Sequence, residues 1–259
     1  MLYEIFQYLR NPGTAYARKL GYSKELIAIE ARYKRNKSVW KNHLENSQNA
    51  IIEASQNCNK KSAVMILGAG LLYDIPLNFL SENFQKIYLV DLVFANKTQK
   101  AASNLDNITL ITHDLNGLEK QLINPKLNTP PKINASLPLT DIKPDLIVSA
   151  NVLSQLHLAP IHLLDEKNIA SDQQLYDYAK ALIQAHIDLL KQQSRQVCLI
   201  TDYIRITTDK NNEEEQESAT LDITLPAPDH HWIWEIAPKG ELSEVKSMKS
   251  KVYAYINFN

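Results

Sequence analysis

Short apolar runs alternate with helix-like stretches from about residue 62 onward. Each run is six to nine residues long and is bounded by polar or turn-forming residues, which predicts a buried strand. The five runs are AVMILGAG (63–70), KIYLVD (86–91), NITLITHD (107–114), PDLIVSAN (144–151) and RQVCLITDY (195–203). Residues 74–83 and 173–193, between the runs, have apolar positions at helical spacing. Strands that alternate with helices predict βαβ units around a parallel sheet.

Both ends of the chain depart from this pattern. At the C-terminus, WIWEIA (232–237) and KVYAYINF (251–258) are rich in aromatic residues and alternate in polarity, which predicts an antiparallel pair of strands. Near the N-terminus, residues 23–57 contain no Pro or Gly and predict one long helix or two abutting helices, with Ser23 as the N-cap. Because their apolar stripe needs a surface to cover, we expect this segment to pack on the domain that follows.

These patterns divide the chain into two parts. We expect a helical cap over residues 1–60, with a short first helix at 3–10, and one α/β domain over residues 61–259. Inside that domain, residues 124–144 carry five prolines and residues 209–217 (DKNNEEEQE) are highly charged, so both predict loops. The predicted fold is a mostly parallel seven-stranded sheet with an antiparallel C-terminal strand pair and an N-terminal helical cap.

Composition limits the classes of protein to which the chain can belong. A length of 259 residues with 44% hydrophobic residues suits one large α/β domain and excludes wholesale disorder. No stretch approaches the roughly 18 consecutive apolar residues that span a bilayer, and the first residues lack the pattern of a signal peptide. Cys58 and Cys198 are too few for a disulfide framework. We expect a soluble, reduced, cytoplasmic protein without membrane insertion.

The net charge of −1 conceals an uneven distribution. Residues 1–62 hold 11 Lys and Arg against 5 Asp and Glu, a net charge of +6, whereas the remainder holds 17 against 24, a net charge of −7. A basic segment can face RNA or another anionic partner. The alternative, which we favour, is a solvated helix face that docks on the acidic remainder of the molecule.

A glycine turn, GAGLLYD (68–74), follows the first predicted strand and opens a helix. Gly68 allows a sharp exit from the strand, and Gly70 allows the backbone to approach a ligand closely. Such a turn directs backbone N–H groups and a helix N-terminus at the ligand. Leu72 stands where a third glycine often occurs, so a strand-to-helix turn without a ligand remains an alternative.

Acidic residues end the next two predicted strands. Asp91 lies 21 residues after Gly70, where a carboxylate can accept hydrogen bonds from both hydroxyls of a ribose. Asp114 ends the third strand and can accept from the exocyclic amine of an adenine. Each of these acids can instead cap the following helix. Since Asp74 at the helix start would repel a pyrophosphate, the charges favour a ligand that joins an amino acid to adenosine, namely S-adenosylmethionine.

The ordered set ILGAG (66–70), LVD (89–91), THD (112–114) and PDLIVSAN (144–151) resembles the class I, Rossmann-like S-adenosylmethionine-dependent methyltransferases. The stretch from the glycine turn to Asp91 looks most like uncharacterised bacterial methyltransferase-like proteins. The resemblance implies that the glycine turn binds the methionine part of the cofactor, the second-strand acid its ribose and the third-strand acid its adenine. The cofactor-binding residues that it implies are Gly68, Ala69, Gly70, Asp91, Leu92, Asp114, Leu115 and Asn151.

The methyl acceptor is expected at the end of the fourth strand, because the family places it there. Asn151 and Gln155 are four residues apart and can orient an acceptor from one helix face; alternatively, Asn151 caps that helix and Gln155 is solvated. Asp202 and Tyr203, at the end of the fifth strand, reach the same edge. His157 and His162 are candidate bases, although a surface histidine has the same sequence signature. No spacing of ligand residues predicts a metal site.

The resemblance implies transfer of a methyl group from S-adenosylmethionine to an acceptor, a small molecule or a protein in preference to RNA. Neither the acceptor nor the oligomeric state follows from the sequence. The alternative is a non-catalytic methyltransferase-like protein that serves as an interaction platform. A nicotinamide oxidoreductase is disfavoured, because TDYIRIT (201–207) does not supply a Tyr-x-x-x-Lys pair.

Overall fold

The computed structural model describes residues 13–139, 141–241 and 243–259. Eight strands within these ranges form one sheet. They are β1 (Ala63–Leu67), β2 (Lys86–Asp91), β3 (Ile108–Thr112), β4 (Leu146–Ala150), β5 (Gln196–Thr208), β6 (Glu214–Ser218), β7 (His230–Ala237) and β8 (Ser247–Tyr255). Their order is β3-β2-β1-β4-β5-β8-β7, and β6 pairs with β5 outside this path.

Strand direction distinguishes the two parts of the sheet. The pairs among β1 to β5 are parallel, whereas β8 pairs antiparallel with β5 and β7 antiparallel with β8. A parallel core of order 3-2-1-4-5 that continues into antiparallel C-terminal strands is the class I methyltransferase fold. The predicted fold class is therefore confirmed.

Helices cover both faces of the sheet and its carboxyl edge. They are α1 (Ala15–Lys19), α2 (Tyr22–Arg35), α3 (Lys37–Gln56), α4 (Leu77–Asn83), α5 (Asn96–Ser103), α6 (Glu119–Leu122), α7 (Leu158–Glu166) and α8 (Asp172–Lys191), with a 3-10 turn at Leu153–Gln155. A capping box of Ser171 and Gln174 begins α8, because each side chain satisfies the other's backbone N–H. Within the described ranges, no helix has both the length and the apolar content to cross a bilayer.

The central strands are buried along their whole length, as their uninterrupted apolar sequences predict. Every residue of β1 and β4 is buried, which is typical of parallel strands with helices on both faces. One face packs on Ile51 of α3 and Leu80 of α4, and the other on Ile183 and Ile187 of α8. The carboxyl edge of the sheet is left to the loops that hold the candidate site.

The N-terminal segment forms two abutting helices that meet at Asn36. The prediction of Ser23 as the N-cap was wrong. The chain enters α2 through Gly21 at φ +81°, a left-handed conformation that glycine adopts without strain, and Ser23 is buried inside the first turn. The short helix predicted at residues 3–10 lies outside the described residues.

One segment that the sequence predicts to be a loop contains a strand. Residues 209–217 include most of β6, which pairs antiparallel with the end of β5, so the sheet has eight strands instead of seven. The side chains of β6 are almost all exposed, so its sequence has no alternation of polarity. The pairing is made by backbone groups of a β5 that continues to Thr208, beyond the predicted end at 203.

Polar contacts fix the α2–α3 junction to the connection between β7 and β8, and fix α3 to β7. The carboxylate of Glu241 forms a two-point ion pair with the guanidinium of Arg35. It also accepts a hydrogen bond from the side-chain amide of Asn36 at 2.9 Å. Farther along α3, the indole of Trp40 donates to the carbonyl of Ile236 at 3.0 Å. Basic residues of the N-terminal segment thus contact the acidic remainder of the chain at this junction.

Candidate functional site

The glycine turn passes between the carboxyl ends of two strands with no room for side chains. Gly68 has φ +89°, and a Cβ there would lie 2.6 Å from the carbonyl oxygen of Ala150 at the end of β4. A Cβ on Gly70 would lie 2.8 Å from the carbonyl oxygen of Val93 and 3.0 Å from Oδ2 of Asp91. Because an added Cβ would lie less than 3.0 Å from a backbone atom at each of these two positions, glycine is the residue that fits there.

Leu72 adopts the conformation that a third glycine would supply without strain. Its φ is +58°, in the left-handed region that costs a non-glycine residue about 1–2 kcal/mol. The side chain is half-buried and packs on the core beneath α3 and α4, which offsets this cost. The departure from the family pattern at Leu72 is therefore accommodated by packing.

Asp91 organises the turn and retains capacity to bind a ligand. Its Oδ2 accepts the N–H of Gly70 at 2.8 Å, and Oδ1 accepts those of Leu92 at 2.7 Å and Val93 at 3.3 Å. Burial raises the pKa of Asp91 to about 6, although these three backbone hydrogen bonds lower it. An ionised carboxylate has about four acceptor positions, so one position on Oδ2 remains for a hydroxyl.

Asp114 performs the capping role that the sequence left open. Its Oδ2 accepts from the Tyr16 hydroxyl at 3.0 Å and from the N–H groups of Leu118 and Glu119 at 2.7 and 2.9 Å. Oδ1 accepts from the N–H of Asn116 at 3.0 Å. Asp114 thus holds the start of α6 and anchors α1, and its contact with an adenine remains a prediction.

Two tyrosines that the sequence reasoning missed reach this edge from the N-terminal helices. Tyr16 of α1 bonds to Asp114, and its ring lies 6.3 Å from that of Tyr22 at the start of α2. Burial raises the pKa of Tyr22, and the carboxylates of Asp114 and Asp91 raise it further, so the phenol is within electrostatic reach of both acids. No motif marks these residues, because contacts between segments about 100 residues apart have no local sequence signal.

The remaining predicted cofactor residues differ in accessibility. Ala69 is fully buried in the core, and Leu115 is buried in the core on the α8 side of the sheet. Leu92 is half-buried and lines a cleft of about 230 Å³ beside β3 and α5. Above the turn, Cδ1 of Leu26 lies 3.0 Å from the position of a Cβ on Gly70, so α2 forms the outer wall of this edge.

Asn151 and Gln155 do not share a helix face, contrary to the sequence expectation. Asn151 has φ +52° and precedes the 3-10 turn, and its amide donates to Oδ2 of Asp74 at 2.7 Å. Gln155 is exposed and donates back to the carbonyl of Asn151 at 2.7 Å. The left-handed turn at Asn151 breaks the helical register between the two positions. Burial raises the pKa of Asp74, and the bond from Asn151 lowers it.

Asp202 and Tyr203 lie on opposite faces of β5. Asp202 is 6% exposed and accepts a bond from the Ser154 hydroxyl at 3.4 Å. Tyr203 packs on the α8 side of the sheet, where its ring stacks on Tyr253 at 4.3 Å. Only Asp202 therefore shares the sheet face with the glycine turn.

His157 follows the 3-10 turn, and its Nδ1 is buried without a partner among the described residues. Burial and the charge of Arg205 lower the pKa of His157 to about 4, so the imidazole is neutral at neutral pH. Across the described ranges, no three His, Cys, Asp or Glu side chains come together as a potential metal site.

The chain is similar to several solved structures at low sequence identity. No family model matches the sequence, and no curated protein matches it. The 1,6-didemethyltoxoflavin-N1-methyltransferase of Burkholderia thailandensis is 12% identical, with 90% of each chain covered and a TM-score of 0.36. The N-methyltransferase NodS of Bradyrhizobium japonicum is 12% identical over 81% of this chain and 94% of its own, with a TM-score of 0.39.

A SAM-dependent methyltransferase of Leishmania major is 14% identical over 92% of this chain and 82% of its own, with a TM-score of 0.40. All three similar structures are methyltransferases by name. Similarity at this level identifies neither the cofactor nor the acceptor of the present chain, which rest on its own residues.

Proposed function

We propose that this protein transfers a methyl group from S-adenosylmethionine to a small molecule or protein acceptor. The observation that carries the proposal is the position of Asp91. Its carboxylate ends β2 beside the glycine turn and keeps one acceptor position unfilled. It lies at the edge where β1 pairs with β2 on one side and β4 on the other, which is the switch point where open α/β sheets bind ligands.

The residues present fit this cofactor. Asp91 accepts a ribose hydroxyl at its unfilled position on Oδ2, and the tight backbone at Gly68 and Gly70 admits the methionine part. Leu92 offers an apolar side chain beside the adenine. When bound, the cofactor supplies an electrophilic sulfonium methyl group, and the chain orients the acceptor towards it from the ends of β4 and β5.

The charges at this edge favour S-adenosylmethionine over a dinucleotide. Asp74, the last residue of the glycine turn, is half-buried and bonds to Asn151. A pyrophosphate at this turn would have to approach its carboxylate. A sulfonium ligand with an ammonium group suits such a site electrostatically. The free thiols of Cys58 and Cys198 accord with a reducing compartment, and we place the reaction in the cytoplasm.

The alternative, a non-catalytic interaction platform, is favoured by two contacts. Leu26 of α2 lies directly against the glycine turn, and Tyr16 occupies Asp114. A protein that kept the fold without the reaction would retain these covering contacts. The two functions differ in whether the described edge binds the adenosyl ligand.

Calorimetric titration of the purified full chain separates the possibilities. We expect S-adenosylmethionine and S-adenosylhomocysteine to bind in the micromolar range, and NAD not to bind. Binding of NAD without a response to either adenosyl ligand would overturn the proposal. Heat from none of the three ligands would favour the platform.

A further inference from the structure

A bulge in β5 places two opposite charges on the same face of the sheet. The pairing with β8 shifts register between Asp202 and Ile204, so Tyr203 is an extra residue. The β8 partners of Asp202 and Arg205 are two residues apart, which puts both side chains on one face. Without the bulge, residues three apart would point to opposite faces. Bulges re-aim side chains in this way and are frequent beside active sites.

Neither charge is neutralised by a close partner. Oδ1 of Asp202 has no hydrogen-bond partner among the described residues, and Oδ2 accepts the Ser154 hydroxyl. The hydroxyls of Ser250 and Ser154 both lower the pKa of Asp202, but neither carries a charge. Arg205 is half-buried and forms no ion pair within 4 Å with any described side chain, including Glu217, its exposed neighbour on β6. Its positive charge lowers the pKa of both Asp202 and His157.

This charge pair lies on the acceptor side of the candidate site. Two residues before Asp202, the carbonyl of Ile200 accepts the N–H of Asn151 at 2.8 Å, which joins this part of β5 to the end of β4. Ile200 and Ala69 of the glycine turn belong to the same core. Asp202 and Arg205 therefore project from the sheet face on which Ala69 of the glycine turn packs.

The chemistry of the two groups indicates what they bind together. A carboxylate with an unfilled acceptor position binds an ammonium group, and a guanidinium binds a carboxylate or phosphate through paired N–H donors. Since the two charges do not contact each other, a ligand that carries both groups can bridge them. We infer that the methyl acceptor is a small amine bearing an anionic group, held by Asp202 through its amine and by Arg205 through its anion.

This inference rests on the proposed function and gives Asp202 a catalytic role. The amine enters as an ammonium ion, and Asp202 accepts one proton from it, which leaves a lone pair on nitrogen. That pair forms the bond to the methyl carbon as the carbon–sulfur bond breaks and its electrons remain on sulfur. The sulfonium becomes a thioether, the product leaves as a methylammonium ion, and the proton on Asp202 passes to water. Burial raises the pKa of Asp202, which helps it to hold that proton.

The test measures binding of defined probes to the full chain, with and without S-adenosylhomocysteine. The probes are 4-aminobutyrate and 3-aminopropylphosphonate, which carry both groups, and butylamine and butyrate, which carry one each. We expect one of the bifunctional probes to bind at least about tenfold more tightly than either single-group probe. The relative affinities of the carboxylate probe and the phosphonate probe show which anionic group Arg205 prefers. Methyl transfer to the probe that binds more tightly is a second readout.

Substitutions of Arg205 and Asp202 test which group of the probe each residue binds. Arg205→Gln should weaken the bifunctional probe about tenfold and leave butylamine unchanged, whereas Arg205→Lys should restore part of the affinity. Asp202→Asn should weaken butylamine and the bifunctional probe alike. Arg195→Gln, at an exposed position before β5, is the matched control. Equal binding of bifunctional probes by wild type and Arg205→Gln, or no binding of any probe while S-adenosylhomocysteine still binds, would overturn the inference but not the proposed function.

Discussion

Asn151 has a backbone conformation that few residue types adopt without strain. Its φ of +52° lies in the left-handed region, where Asn is among the tolerated non-glycine residues. Its amide also donates to the carboxylate of Asp74 at 2.7 Å. The residue therefore has two separable functions at the end of β4, one in the backbone and one in the hydrogen bond.

Substitutions at Asn151 separate these functions. Asn151→Gly keeps the conformation and loses the bond, so it should destabilise the protein by about 1–3 kcal/mol. Asn151→Asp should cost more at neutral pH, because a second carboxyl then lies against Asp74 and raises the pKa of the pair. A raised folded pKa means that this variant regains stability as the pH falls and loses it as the pH rises.

Urea denaturation at pH 5 and pH 7.5 measures these differences. Asn168→Asp is the matched control, since Asn168 is exposed and also has a positive φ, of +50°. It should change stability by less than about 0.5 kcal/mol. If Asn151→Asp were as stable as wild type at pH 7.5, the interaction with Asp74 would be refuted.

Asp91 makes cofactor affinity dependent on pH. Burial raises its pKa to about 6, and the ionised form is the stronger acceptor for ribose hydroxyls. Protonation as the pH falls through 6 should therefore weaken binding of S-adenosylhomocysteine, by about tenfold at pH 5 relative to pH 8. Calorimetry over this range tests the expectation, and Asp91→Asn should remove the dependence. An unchanged affinity of wild type at pH 5 would exclude Asp91 as the titrating group.

Two helices each bury a neutral histidine against the sheet. His43 of α3 stacks on Trp234 at 3.9 Å and accepts from the indole of Trp232 at 3.1 Å. His186 of α8 lies 3.0 Å from the hydroxyl of Ser149 on β4. Burial lowers the pKa of His43 to about 3 and that of His186 to about 4. Protonation of either ring would place a charge inside the helix–sheet contact.

These histidines should make the fold sensitive to acid. Because both folded pKa values lie below the unfolded value of about 6.5, the unfolded chain binds protons first as the pH falls. The stability that each contributes is complete above pH 6.5 and declines below it, by about 2 kcal/mol per histidine at pH 5. The urea midpoint at pH 7.5 and pH 5 measures this loss.

His43→Gln and His186→Gln should each flatten the pH dependence. His162→Gln, at an exposed position on α7, should leave it unchanged. If the urea midpoint changed equally between pH 7.5 and pH 5 in wild type and in both variants, neither imidazole would be the source of the acid sensitivity.

A strand could be predicted from the sequence wherever the burial of its side chains produces a pattern of apolar residues. The central strands β1 and β4 are uninterrupted apolar runs because both of their faces are buried, and β7 and β8 alternate because their faces differ. The strand β6 has no such pattern, since backbone bonds to β5 hold it while its side chains face solvent. Its existence depends on how far β5 continues, which is decided by tertiary pairing.

The candidate site could likewise be predicted from the sequence only in part. The spacing from Gly70 to Asp91 follows from one βαβ unit, so the sequence places both at one edge. Whether Asp114 binds a ligand or caps α6 depends on Tyr16, which is 98 residues away. The bulge at Tyr203, which puts Asp202 and Arg205 on one face, is a feature of strand pairing and has no local signal.

For the whole molecule, we propose that residues 1–60 form a cap on the domain of residues 61–259. Ala50 and Ile51 of α3 share a core with β1 and β4, and Glu241 holds Arg35 at the α2–α3 junction. Burial of four large apolar side chains contributes on the order of 6–12 kcal/mol before entropy is included. A free helix of this length would be marginally stable in water.

Deletion of residues 1–57 should therefore lower the melting temperature and expose a surface that aggregates. Differential scanning fluorimetry and light scattering on the truncated and full-length chains measure both effects. Unchanged melting of a soluble truncated protein would contradict the cap. If the excised segment then bound RNA with a steep salt dependence, the basic N-terminal residues would have the nucleic-acid role that we disfavour.

The central claim is that Asp91 binds the ribose of S-adenosylmethionine. The most direct test compares the affinities of wild type, Asp91→Ala and Asp114→Ala for S-adenosylhomocysteine. We expect micromolar binding by wild type and a loss of at least about tenfold in Asp91→Ala, since each charge-assisted bond contributes about 1.5–3 kcal/mol. Asp114→Ala should lose less affinity, because its carboxylate is engaged by Tyr16 and the start of α6. Equal affinity of wild type and Asp91→Ala, with circular dichroism unchanged, would contradict the account.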